Sequence, residues 1–199
     1  MHQPLHLPQH GGRPERFIVE GGHPISGEIE PAGNKNEALP VLAAALLTGE
    51  PVTVHNVPEI RDTQDMLTLL QGLGAQVRRV KPHSYRIEAR TLHQDRPEDE
   101  VARRIRGSIL LAGPLLGRLG SCSLSAPGGD RIGLRRLDTH LLVLERLGAR
   151  LEEGAGRLLR FSLPGGRFRG DTLFLDEASV TATENAIMAA ALAQGTTVI

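Results

Sequence analysis

The feature that most constrains the fold of this chain is an internal repeat with a period of 74 residues. The tripeptide Leu-Gly-Ala occupies residues 73–75 and returns at residues 147–149. Residues 184–199 (ENAIMAAALAQGTTVI) are similar to residues 36–54 (NEALPVLAAALLTGEPVTV), and the glycines of these two segments lie 146 residues apart, about two periods. Repeats of this length are supersecondary units that need neighbours to bury their apolar faces. The sequence therefore predicts stacked copies of one α/β unit.

Each copy begins with a helix that is apolar on nearly every side and ends at a glycine, which is typical of a buried helix. Short alternating segments follow and indicate strands. In the first copy we predict a helix over residues 36–47, a strand over 52–54, a helix capped by Asp62 and ended by Gly74, and strands near 75–80 and 85–89.

The second and third copies follow the same order. In the second we predict a helix over residues 108–119, a strand over 122–124, a glycine-rich loop over 127–133 (PGGDRIG) and a helix capped by Asp138. The third copy stops after its first strand, which would leave an open sheet edge and an incomplete core. We therefore expect the natural polypeptide to be longer than this chain.

Composition excludes several classes of protein. The Lys+Arg and Asp+Glu counts are equal at 23 each, and the chain has no Trp and one Tyr, so that neither charge nor stacking rings favour a nucleic-acid partner. The single cysteine, Cys122, fits a reducing compartment, and a small buried role is expected for it. We expect a cytoplasmic protein that has no membrane segment.

The first residues are predicted to be a flexible tail. Residues 1–16 are rich in Pro, Gly, His and Gln and contain neither a basic start nor a continuous apolar run, which excludes a signal peptide. The tail histidines His2, His6 and His10 lack a Cys or carboxylate that would complete a metal site. A solvated tail is therefore preferred over a metal centre, and no metal is predicted.

Several motifs together resemble one enzyme family, the UDP-N-acetylglucosamine enolpyruvyl transferases. Each motif is weak alone, but their order and spacing over residues 17–199 are specific. They are GNKN at 33–36, ALP at 38–40, IRGS at 105–108, PGG at 127–129, IG at 132–133, Arg135, Asp138, His140, and SVTATEN at 179–185.

The resemblance implies a fold of six βαβαββ units, three in each of two domains, described as an inside-out α/β barrel, with the active site between the domains. By this comparison, residues 35–199 form the first domain with its third repeat truncated. Residues 17–34 are N-terminal strands that would pack with the missing second, C-terminal domain. The chain alone is therefore expected to be inactive.

The resemblance also implies a reaction and its site. The enolpyruvyl group of phosphoenolpyruvate moves to the 3-hydroxyl of UDP-N-acetylglucosamine through a tetrahedral intermediate that eliminates phosphate, without a metal or an organic cofactor. Lys35, Arg135 and Asp130 are the implied catalytic residues. The implied substrate-binding residues are Lys35, Asn36, Arg106, Arg135, Asp138, Ser179, Val180 and Thr181, with Asp138 accepting hydrogen bonds from uracil.

Asp130 departs from the family pattern, which commonly has cysteine after the two loop glycines. An ordinary aspartate, with a pKa of about 3.9, has no proton to donate at neutral pH. Bound phosphoenolpyruvate and burial would raise that pKa, whereas Arg131 and Arg135 would lower it. Asp130 is thus either the general acid or a residue that closes a turn. In the family, fosfomycin alkylates the loop cysteine. Because Asp130 replaces that cysteine, the intact protein is expected to resist fosfomycin.

Three further departures leave an alternative open. Arg136 replaces a common proline, Glu177 stands where lysine is frequent, and Thr181 replaces a common glycine. A carboxylate near a diphosphate would repel it. A paralogue that binds a sugar nucleotide without catalysis is the alternative, and the related shikimate-pathway transferase is less favoured because the chain lacks a GNAGT-type motif.

Overall fold

The computed structural model of the chain describes residues 18–128, 136–154 and 158–199. The chain divides into two units at Pro31. In the first unit, residues 18–31 form no helix or strand, and their apolar side chains, Ile18, Val19, Ile25 and Ile29, are exposed.

The strands predicted within residues 17–34 are therefore absent from the described part, residues 18–34. A strand needs a neighbour for its backbone N–H and C=O groups. The neighbour predicted for this segment is the second domain. Packing against that domain stays a prediction, and the predicted tail over residues 1–16 lies outside the described residues.

The second unit contains the first copy of the repeat in the predicted order. Its three strands form an antiparallel sheet in the order β1-β3-β2, in which Val52 faces Ile87 and Val77 faces Ile87 from the other side. The elements are α1 (Lys35–Ala44), which continues into a 3-10 turn (Ala45–Leu47), then β1 (Val52–Val54), α2 (Arg61–Gly72), β2 (Gln76–Lys81) and β3 (Ser84–Glu88).

The second copy has the same topology, with an antiparallel sheet in the order β4-β6-β5. A short helix precedes it and one long helix follows it. The elements are α3 (Asp99–Ala102), a 3-10 segment (Arg106–Leu111) that runs into α4 (Ala112–Leu119), β4 (Ser121–Ser125), α5 (Asp138–Arg146), β5 (Arg150–Gly154), β6 (Leu158–Ser162) and α6 (Val180–Ala191).

The period predicted from the sequence is confirmed by the fold. Strands β5 and β6 begin 74 residues after β2 and β3. Gly74 and Gly148 occupy equivalent turns with φ of 108° and 103°, a left-handed conformation that explains the glycine in each Leu-Gly-Ala tripeptide. After α6 there are isolated bridges from Arg169 to Gln194 and from Thr172 to Val198, in place of the predicted strand.

Two predicted helix caps are wrong, Asp62 by two positions and Asp138 by one. Helix α2 begins at Arg61 with Ile60 in the capping position, and α5 begins at Asp138 with Leu137 before it. Asp62 and Asp138 lie instead in the first turns of their helices, where a carboxylate still interacts favourably with the positive end of the helix dipole.

The core is built around α1, α4 and α6, the helices that the sequence predicted to be apolar on nearly every side. Glycines let these helices approach closely. A Cβ atom at Gly107 would lie 2.9 Å from Cδ1 of Leu39, and one at Gly113 would lie 2.7 Å from Oδ1 of Asn185. The first turns of α1 and α6 meet the 3-10 segment that leads into α4 on one side of the fold.

Candidate functional site

A cleft of about 330 Å³ lies where the first turns of α1 and α6 meet the 3-10 segment that leads into α4, and we refer to it as the three-helix cleft. This volume is at the lower end of the range of small-molecule sites, about 300–1,000 Å³. Its lining residues are Lys35, Asn36, Leu39, Pro40, Asp62, Arg106, Gly107, Leu110, Ser179, Val180, Thr181 and Glu184.

Every described residue predicted to bind substrate, with the exception of Asp138, lines this cleft. Each copy of the repeat contributes: Lys35 and Asn36 come from the first, Arg106 from the second, and residues 179–181 from the third. The fold therefore assembles in one place residues that are far apart in the sequence.

Two cationic side chains are held at the cleft by different partners. Nζ of Lys35 lies 3.0 Å from Oδ2 of Asp62, in an ion pair that is partly open to solvent. Nη2 of Arg106 donates to the backbone carbonyl of Arg136 at 2.8 Å. An open ion pair contributes little free energy, so an anionic ligand can compete with Asp62 for Lys35.

The helix starts add to the positive potential of the cleft. The side chain of Asn34 caps α1 by accepting from the N–H of Asn36 at 2.7 Å, and Ser179 caps α6 by accepting from the N–H of Ala182 at 3.4 Å. Helix N-termini carry partial positive charge and unpaired N–H groups. The cleft therefore offers an anion two helix N-termini and the cations Lys35 and Arg106, beside the carboxyl groups of Asp62 and Glu184.

Glu184 is an acidic residue at the cleft that the sequence did not single out as a site residue. It lies one turn beyond Val180 on α6, and burial raises the pKa of its carboxyl. Its Oε2 atom is shielded from solvent and has no hydrogen-bond partner among the described residues. The i, i+4 spacing from Val180 was the signal available in the sequence.

Asp62 is the second residue that sequence reasoning placed in another role. It was predicted to cap α2, whereas it lines the cleft and pairs with Lys35. Nothing in one sequence shows that the first turn of α2 faces the first turn of α1. The pairing of Lys35 with a carboxylate is therefore visible only in the fold.

A buried polar network lies directly behind the cleft and joins α5, α6 and the 3-10 segment that leads into α4. Nε2 of His140 lies 3.1 Å from Oγ1 of Thr181, and Nδ1 of His140 lies 3.2 Å from Nδ2 of Asn185. His140 is 3% exposed. Burial, reinforced by the positive charge of Arg106, lowers the pKa of His140 to about 4.

The remaining predicted site residues do not line the cleft or cannot be placed. Asp138 is half-exposed at the start of α5, where its carboxylate pairs with the guanidinium of Arg136. The backbone carbonyl of Arg136 also accepts a hydrogen bond from Arg106, which lines the cleft. Arg136 therefore connects Asp138 to the cleft. Asp130 and Arg135 lie outside the described residues.

The described residues contain neither a metal-binding cluster nor a membrane-spanning helix. No group of three or more His, Cys, Asp or Glu side chains in these parts of the chain could hold a metal ion. None of the helices described is both long enough and apolar enough to cross a membrane. Cys122 is fully buried in β4, as predicted.

Comparison with known proteins assigns the family. A sequence profile described as EPSP synthase (3-phosphoshikimate 1-carboxyvinyltransferase) matches residues 19–199. The chain belongs to this family. The resemblance predicted from the motifs is confirmed, because curated UDP-N-acetylglucosamine 1-carboxyvinyltransferases are similar to it: that of Bradyrhizobium diazoefficiens is 52% identical over 92% of the chain, and that of Treponema denticola 48% over 92%.

The chain spans 42% of the length of each of these two relatives. Among solved structures, the enolpyruvyl transferase NikO from Streptomyces tendae matches with a TM-score of 0.74 and 23% identity, over 89% of this chain and 41% of NikO. EPSP synthase from Acinetobacter baumannii matches with a TM-score of 0.65 and 16% identity, over 85% of this chain and 39% of that one. These structural matches confirm the predicted α/β fold class.

Proposed function

We propose that this chain forms the N-terminal part of an enzyme that transfers the enolpyruvyl group of phosphoenolpyruvate to the 3-hydroxyl of UDP-N-acetylglucosamine and releases phosphate, a step of peptidoglycan precursor synthesis in the cytoplasm. The observation that carries the proposal is the three-helix cleft, in which Lys35 and Arg106 lie beside the starts of α1 and α6. Curated UDP-N-acetylglucosamine 1-carboxyvinyltransferases that are between 41% and 52% identical to the chain support it.

The residues of the cleft suit two phosphate-bearing substrates. Lys35 offers a mobile ammonium whose partner, Asp62, can be displaced, and Arg106 offers a planar guanidinium that can grip an oxyanion with two N–H groups. Asn36 supplies an amide. Pro40 has no N–H, so it cannot pair with the carbonyl of Asn36.

The nucleotide is proposed to bind to residues that line the cleft or lie near it. Ser179, Val180 and Thr181 form the start of α6, where backbone N–H groups can donate to a diphosphate. Asp138 is proposed to accept hydrogen bonds from uracil, and Arg135 to hold an anionic group of a substrate. Arg136, which pairs with Asp138, would have to release that carboxylate when the nucleotide binds.

The reaction also requires a proton for the vinyl carbon of phosphoenolpyruvate, and Asp130 is the proposed general acid. The negative charge of the substrate and closure of the site would raise the pKa of this carboxyl toward neutrality. The test is a pH–rate profile of the whole enzyme, by which we mean a polypeptide that contains this chain and the part of the sequence that its full-length relatives have in addition. Undiminished turnover by Asp130→Asn would disprove the assignment.

Replacement of a loop cysteine by Asp130 has a consequence for inhibition by fosfomycin. The thiol of Cys122 is buried and its pKa is raised by burial, so it does not offer the epoxide a substitute nucleophile. The whole enzyme is therefore expected to resist fosfomycin. A covalent adduct at Asp130, detected by mass spectrometry, would contradict this expectation.

Phosphate release from phosphoenolpyruvate in the presence of UDP-N-acetylglucosamine tests the central proposal. The whole enzyme should release phosphate only when both substrates are present, and this chain alone should not. Lys35→Ala should abolish most of the activity. Lys81→Ala is the matched control, since Lys81 is an exposed lysine at the end of β2. Binding of UDP-N-acetylglucosamine without any phosphate release would favour the non-catalytic paralogue.

A further inference from the structure

The network behind the three-helix cleft fixes the direction of each of its hydrogen bonds. The backbone N–H of Gly113 donates to Oδ1 of Asn185 at 3.0 Å, which identifies the other terminal atom of that side chain as its NH₂ group. The NH₂ group donates to the carbonyl of Ile109 at 3.0 Å and contacts Nδ1 of His140 at 3.2 Å. Both of its hydrogens are therefore used.

His140 must then carry its proton on Nε2. Its Nδ1 atom accepts from Asn185, and a neutral imidazole has a hydrogen on one nitrogen only. Nε2 lies 3.1 Å from Oγ1 of Thr181 and donates to it. The low pKa of His140, about 4, keeps the ring neutral near pH 7, so this direction holds at that pH.

The hydroxyl of Thr181 consequently keeps its own hydrogen for another acceptor. His140 is the hydrogen-bond partner of this oxygen among the described residues. Thr183, on the same helix, behaves differently: its hydroxyl donates to the backbone carbonyl of Ser179 at 2.8 Å. Thr181 lines the cleft that also contains Lys35 and Arg106. A free hydroxyl hydrogen of Thr181 would therefore be available to an anion bound in the cleft.

We propose that Thr181 is a substrate-contacting residue whose hydroxyl donates a hydrogen bond to a phosphoryl oxygen of the ligand in the three-helix cleft. His140 and Asn185 are positioning residues that aim this donor, because they occupy its oxygen from behind. The inference rests on the proposed function, in which phosphoenolpyruvate carries one phosphate and the sugar nucleotide carries a diphosphate. A hydroxyl held in this way is pre-organised and loses little rotational freedom when the ligand binds.

The test compares steady-state constants of the whole enzyme and of Thr181→Val, which removes the hydroxyl and keeps the shape. Because a hydrogen bond to a charged group is lost, kcat/KM for one substrate should fall about 10-fold to 100-fold. The substrate whose KM rises identifies the source of the phosphoryl oxygen. Thr181→Ser keeps a hydroxyl and should recover most of the loss.

Thr183→Val is the matched control, because it makes the same change two residues along α6 at a hydroxyl that is already paired with the backbone. It should leave both KM values unchanged. Thr181→Ala, which favours the helix more than valine does, repeats the test if Thr181→Val does not fold. Thermal melting of each variant reports whether it is folded.

The outcomes separate the two proposals. A wild-type enzyme that releases no phosphate overturns the proposed function and this inference with it. An active wild type whose Thr181→Val and Thr181→Ala variants keep both kinetic constants overturns the inference alone. The same holds if Thr181→Ser is as impaired as Thr181→Val, since the hydroxyl would then not be the group that matters.

Discussion

Protonation of His140 is expected to destabilise this chain as the pH falls from about 6.5 to about 4. In the fold the pKa of His140 is lowered from 6.5 to about 4, first by burial and then by the positive charge of Arg106. Each pH unit between these values corresponds to about 1.36 kcal/mol, so the free energy of unfolding should decrease by about 3 kcal/mol. His140 is 3% exposed, so solvent does not screen this effect.

The sign follows from the number of protons that each state binds. Between the two pKa values the unfolded chain holds a proton on His140 and the folded chain does not, so stability rises with pH in this window. The stabilising contribution is complete above about pH 6.5 and is lost as the pH falls toward 4. The physical cause is the burial of the imidazole away from water, to which the positive charge of Arg106 adds.

Urea denaturation of the wild type and of His140→Gln, measured at intervals between pH 4 and pH 8, tests this expectation. The two proteins share their other ionisable groups, including Asp99 and Asp171, whose pKa values are lowered by their arginine partners. Those contributions cancel in the difference between the two curves. Curves that run parallel from pH 4 to pH 8 would refute a lowered pKa of His140 in the fold.

Three further substitutions or reactions test the packing around this network. Asn185→Ala leaves three buried groups without their partner and should lower the free energy of unfolding by at least about 3 kcal/mol, measured in urea. Gly113→Ala places a Cβ 2.7 Å from Oδ1 of Asn185 and should cost about 1–3 kcal/mol, whereas Gly72→Ala, with no atom within 4 Å, should be neutral or stabilising. The thiol of Cys122, buried and with a raised pKa, should react with a thiol reagent at pH 8 only after denaturation.

The repeat could be predicted from sequence because each unit depends on local signals. The apolar helices, the glycines that follow them and the alternating strands all recur at one spacing, and the structure has each of them in the first copy. The predicted caps at Asp62 and Asp138 failed because capping preferences act over a few atoms, and a neighbouring residue can begin the helix when tertiary packing favours it. Asp62 is instead oriented toward Lys35.

The site could be predicted in part, and mostly through the family resemblance. The resemblance named Lys35, Asn36 and Arg106 as residues of one site, and the fold brings them to one cleft. It did not indicate Glu184 as a site residue. Which face of α6 meets α1 depends on packing between distant copies, and a single sequence does not record it.

The repeat accounts for the affinity for anions proposed for the cleft. The departures from the repeat account for how the cleft would distinguish the two proposed substrates. Equivalent segments of the three copies meet at the cleft, and helix starts such as those of α1 and α6 attract anions whatever side chains they carry. A set of equivalent helix starts cannot tell one oxyanion from another. The side chains at these starts differ, however: Lys35 in the first copy, Arg106 in the second and Thr181 in the third. The flexible ammonium of Lys35, the planar guanidinium of Arg106 and the hydroxyl donor proposed for Thr181 give each part of the cleft its own geometry. The proposed reaction between two phosphate-bearing substrates needs that asymmetry.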